Sequence, residues 1–216
     1  MAALTDFHPY VLPQVPGCPE PTVDLAIRSA LIEFCEKTLI VQRDLDPVTV
    51  VKGIVDYDID PPTGQLVTRV LRLWFKDREL TPTAPDNVHN AEVYNTLFSG
   101  ADKERSDPRM FIQKDERTFT IYPIPKDTVA NGLTVRVALK PTRTTETVED
   151  VLFEDYAETI AQGALFRLLS MPSKPWTNGP GASAALTLFT TGINTARQRA
   201  ARGHTRADVR IRLTGV

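Results

Sequence analysis

The sequence predicts an α+β protein: a helical bundle, an inserted and mainly antiparallel β domain, and an extended C-terminal arm. Three observations carry this. Apolar residues recur at helical spacing near both ends of the chain, and alternate with period two through its middle. The last residues, "VRIRL", alternate apolar and basic with no later segment in the chain to pair with.

The first helix is expected over about 22–38. Val23, Ala26, Ile27, Ala30, Leu31, Phe34 and Cys35 follow the i, i+3, i+4, i+7 rule, with Thr22 as N-cap. Before it, residues 1–21 carry Pro9, Pro13, Pro16, Pro19 and Pro21 and are expected to be extended. The β domain is expected over 45–141. "VTVVKGIVDYDI" and "GQLVTRVLRLWF" read as strands, and "RMFIQ" and "TFTIYPIP" as a hairpin around "KDER". "NGLTVRVALKPT" reads as a final strand opened by an Asn131-Gly132 turn. Residues 82–107 read as a long loop with a short helix near 84–92.

A second helix is expected over 149–171, stopped by Pro172. Its early carboxylates complement the positive end of the helix dipole. A third helix is expected over 181–202, ending on Arg197, Arg199 and Arg202 with Gly203 as the stop. The first helix cannot bury its apolar face alone. The simplest organisation is therefore a helical domain of 22–44 plus 142–203, with 45–141 inserted and 204–216 as an arm.

Composition bounds the function. The chain has 216 residues, 42% hydrophobic and 24% charged, with 17 Pro. That is a turn-rich globular composition. The net charge of −2 argues against non-specific nucleic-acid binding by the whole protein. The charge is uneven, however. Residues 146–158 hold six acidic groups and no basic one, while from Arg197 onward there are six Arg and one Asp. Cys18 and Cys35 are too few for a disulfide framework, so a reduced, cytosolic chain is expected. No secretory leader and no membrane span are expected.

Catalytic and metal-binding patterns are missing. His8, His89 and His204 share no ligand spacing, and no P-loop, GxGxxG or GxSxG occurs. Asp56, Asp58 and Asp60 stand at i, i+2 and i+4, but an EF-hand needs Gly and Glu where Pro61 and Val67 stand. No catalytic residue, cofactor or metal is expected. The arm lacks aromatics for nucleic-acid stacking, and its alternation suits addition to another chain's sheet edge.

The order of these pieces resembles the head-to-tail adaptor (head-completion or connector) proteins of tailed bacteriophages. It runs from "VLPQVPGCPEPTVDLAIRSALIEFCEKTLI" through "LKPTRT" and "LLSMPSKPW" to "ARQRA" and "VRIRL", covering about 12–216. The resemblance implies a structural, non-enzymatic virion protein in the neck, assembled in the host cytoplasm. It implies a homo-oligomeric ring, a dodecamer, below the portal, through which double-stranded DNA passes without sequence-specific binding. The arm would dock on the portal through Arg206, Val209, Arg210, Ile211, Arg212, Leu213 and Val216. The β domain would face a downstream tail or nozzle protein or neighbouring subunits, and the charge asymmetry would support subunit contacts. Competing readings are a stopper or tail-completion ring, and, from other classes, an enzyme or a nucleic-acid-binding regulator.

Overall fold

The structure is a computed structural model that describes residues 1–84 and 105–203. The chain divides into two compact units, Met1–Val41 with Lys140–Val216, and Gln42–Leu139. It is a mixed α+β protein of helices and mostly antiparallel strands.

The first unit opens with β1 (Ala2–Ala3), a 3-10 turn at Leu4–Phe7, α1 (His8–Val11), a second 3-10 turn at Leu12–Gln14, and α2 (Glu20–Thr38). The expectation of an extended segment over 1–21 is therefore corrected. Pro9 and Pro13 stand in the first turns of their helical pieces, where the missing N–H breaks no bond. Burial supplies the drive: Phe7, Val11 and Val15 are fully buried, and the Phe7 ring meets Phe153 edge-on at 5.2 Å.

Helix α2 starts two residues before the expected position. Pro19 is its N-cap and Pro21 lies in the first turn, so Thr22 is inside the helix. The predicted stripe from Val23 to Cys35 is buried. Leu39 ends the helix at φ 54°, donating its N–H to the Cys35 carbonyl.

The second unit holds β2 (Gln42–Asp44), β3 (Val48–Val50), β4 (Asp56–Asp58), β5 (Gln65–Phe75), β6 (Arg78–Glu79), β7 (Thr81–Pro82), β8 (Arg105–Ser106), β9 (Met110–Gln113), β10 (Thr118–Tyr122) and β11 (Ile124–Pro125). The last strand, β12 (Val129–Pro141), leads the chain on into Lys140 and the first unit. One sheet has the order β4-β10-β9-β7; the other has β2-β12-β5-β6, with β3 also on β12. The expected hairpin is β9–β10, pairing Phe119 with Gln113 and Tyr122 with Met110. Two short pairs, β7–β9 and β8–β11, are parallel.

Two strand expectations change. "VTVVKGIVDYDI" is not one strand but β3 and β4, in different sheets, because Gly53 turns the chain at φ 82°. Asn131-Gly132 does not open a strand. It lies within β12, where the register shifts between Val129 and Leu133 and Asn131 takes φ 50°. The turn-forming pair is used as an irregularity inside a ladder. The short helix anticipated near 84–92 falls almost wholly outside the described residues.

The chain then forms β13 (Thr147–Val148), antiparallel to β1, followed by α3 (Asp150–Glu154), α4 (Ala157–Leu169) and α5 (Gly179–Arg202). The helix expected over 149–171 is thus two helices. Tyr156 leaves the helical region at φ −133°, and its ring packs on Phe34 at 5.1 Å. Burying that ring outweighs the helical bonds lost at the break. Helix α5 begins at Gly179 because Asn178 caps it, accepting the Gly181 N–H at 3.0 Å. Gly203, at φ 65°, ends it.

Helices α2, α4 and α5 pack on one another around Ile27, Leu31, Phe34, Leu165, Leu168 and Phe189. Helices α4 and α5 run antiparallel: Gly163 faces Phe189, Gly192 faces Thr159, and Arg199 reaches Asp155 at 3.0 Å. No described helix is long and apolar enough to cross a membrane.

Candidate interaction surfaces

The predicted arm residues Arg206, Val209, Arg210, Ile211, Arg212, Leu213 and Val216 lie outside the described residues, as do His89 and His204. His8 is described. Its ring is largely buried, with Nε2 2.6 Å from Asp24 Oδ1, and ties α1 to α2. Among the described residues no group of His, Cys, Asp and Glu could hold a metal ion.

The three aspartates of "DYDID" serve the β unit. Asp56 accepts from Lys114 at 2.8 Å and from the Thr120 hydroxyl at 2.5 Å, which hold its carboxyl below the usual range. Asp58 and Asp60 line an open cleft of about 690 Å³ with Asp44, Asp46, Pro61 and Pro62. The Asp44 carboxylate forms a two-pronged pair with Arg136, at 2.6 and 2.7 Å, which lowers its pKa.

Two surfaces have packing chemistry instead. The first is the turn after β3. Val51 and Ile54 project from it, 39% and 47% exposed. The turn is held rigidly. The Tyr57 hydroxyl accepts the Val51 N–H at 3.1 Å and donates to the Ile54 carbonyl at 3.0 Å. Gly53 N–H reaches the Pro125 carbonyl at 3.0 Å, and Lys52 N–H reaches the Thr128 hydroxyl at 3.1 Å. A braced turn that exposes aliphatic tips is preorganised to enter an apolar pocket.

The second is α5. From Gly179 to Ala196 it has no charged residue, yet only Ala182, Ala185, Phe189, Ile193 and Ala196 are buried. Ser183, Thr187, Thr190, Thr191 and Thr195 each donate to the carbonyl four residues back, at 2.9–3.2 Å. Their hydroxyls are satisfied within the helix, and Leu186 and Leu188 are exposed beside them. The helical stripe is legible in the sequence. The uncharged exposed side is also there to read, as a long run without Asp, Glu, Lys or Arg, but the apolar-stripe rule does not look for it.

These surfaces offer contact area: two exposed aliphatic tips and an uncharged helix side. The chain belongs to the SU10 adaptor protein family, whose description matches it over residues 14–212. It is a structural bacteriophage adaptor and a component of the virion neck, of a kind that oligomerises and contacts portal and tail proteins. No curated protein matches it.

Proposed function

We propose that this protein is the head-to-tail adaptor ring attached below the portal, bridging the DNA-filled head to the tail and forming part of the DNA channel. The family match is the observation that carries the reading, and it extends to residue 212, into the Arg-rich C-terminal stretch. Residues 204–216 are the arm, docking on the portal by strand addition, with Val209, Ile211 and Leu213 in pockets and Arg206, Arg210 and Arg212 on acids. The helical domain builds a dodecameric ring by a heterologous contact that closes. The inserted β domain meets the downstream tail or nozzle protein, with Val51 and Ile54 as its rigid tips. A chain of net charge −2 lets DNA slide through the ring rather than adhere.

The test is binding to isolated portal. The full chain should bind, and a chain ending at 203 should stay folded and not bind. Undiminished binding after truncation overturns the arm assignment. A stopper or tail-completion ring would bind only once another neck protein is present.

A further inference from the structure

We propose that the side of α5 carrying Ser183, Leu186, Thr190 and Arg197 is a subunit interface, and that its occupant is the α3–α4 face of a second copy of this chain, at Val151, Glu154 and Glu158. The oligomer itself rests on the adaptor reading; the choice of faces rests on the following geometry.

Helical spacing puts these four α5 residues on one side of the helix. Arg199 lies on the opposite side, where it pairs with Asp155 and sits over the Tyr156 ring at 5.9 Å. The two basic groups therefore point apart. Arg199 is used within the subunit, whereas Arg197 has no ion partner among the described residues. Leu186, on the same side as Arg197, is 41% exposed. The hydroxyls of Ser183 and Thr190 bond back into the helix, so little water must be stripped from this side.

The proposed partner surface is complementary. Val151 is 37% exposed, and Glu154 and Glu158 are exposed without ion partners among the described residues. One surface offers a leucine and an arginine; the other offers a valine and two glutamates.

The arrangement also selects the symmetry. Because α4 and α5 are antiparallel, the acidic start of α3–α4 and the basic end of α5 lie at the same end of the helical unit. Rotation about an axis along the helices brings the basic side of one copy to the acidic side of the next at equal height. Each copy then uses both surfaces once, as a closed ring requires.

The experiment is a charge swap on the full chain. One variant carries Arg197→Glu; the other carries Glu154→Arg with Glu158→Arg. All three positions are exposed, so the far-ultraviolet spectrum and melting of each should match the parent. Sedimentation over a concentration series should show self-association of the parent, weakened at least tenfold in each variant. An equimolar mixture should regain it, because the reversed side of each variant meets its complement. Leu186→Asp should weaken association with no rescue by either variant. A parent that stays monomeric, variants that associate like the parent, or a mixture that fails to recover each overturn the interface. Portal binding is scored separately on the same samples. If it persists while the interface fails, the adaptor reading stands; if the parent binds no portal, that reading falls instead.

Discussion

Phe189 of α5 lies directly over Gly163 of α4: a β-carbon at 163 would sit 2.7 Å from the ring. No real β-carbon comes that close, so the two helices approach each other only because 163 has no side chain. Gly192 plays the reciprocal part beneath Thr159. Gly163→Ala should gain about 1 kcal/mol of helix propensity. It should lose more through overpacking, ~1–3 kcal/mol. The expected outcome is a net destabilisation, read as a lower denaturation midpoint with an unchanged slope. A raised midpoint would mean that the helices can separate freely.

Glu33 of α2 bonds to both Lys37 and Arg167. Partial burial raises its pKa, but the bonds from Lys37 and Arg167 outweigh that and the net shift is downward. A lowered folded-state pKa contributes stability that is fully present above the unfolded value, roughly 4.3, and is lost as pH falls through the folded value. Glu33→Gln should therefore cost on the order of 1 kcal/mol at pH 7, discounted for partial exposure. The difference from the parent should shrink as the pH falls below about 4. Melting at several pH values checks this; a difference that grows in acid contradicts it.

Tyr57 is buried beside Phe119, with ring centroids 5.9 Å apart, and only its hydroxyl serves the exposed turn. Tyr57→Phe keeps the packing and removes the brace. About 1 kcal/mol of stability should be lost, and the Val51 amide should exchange faster with solvent. Unchanged exchange at Val51 would show that the Gly53 and Lys52 bonds hold the turn without it.

Cys35 is fully buried against the helix core, and burial pushes its thiol up to about 12. Cys18 is also buried, and its thiol is also raised by burial. At pH 8 neither should react with a thiol reagent until the protein unfolds. Fast labelling of Cys35 in the native protein would contradict the packing of α2, and fast labelling of Cys18 would contradict its burial before that helix.

Much of this was legible in the sequence, and the exceptions share a cause. The stripe of α2 and the β9–β10 hairpin follow from spacing alone, because each is set by which face must be buried. The N-terminal turns were not legible, because proline content suggests extension while the burial of Phe7 and Val11 against distant partners decides the fold. The break at Tyr156 and the irregularity at Asn131 likewise depend on tertiary partners, Phe34 for the first and β3 for the second. The expected arm, 204–216, lies outside the described residues.

We propose that this chain is the adaptor that joins the portal to the tail. The most direct test is an image of the purified full-length protein mixed with isolated portal, with no other neck protein present. A closed ring of this chain on the portal's tail-facing end, held by density from residues 204–216, is the predicted result. Bare portals at saturating protein would contradict it.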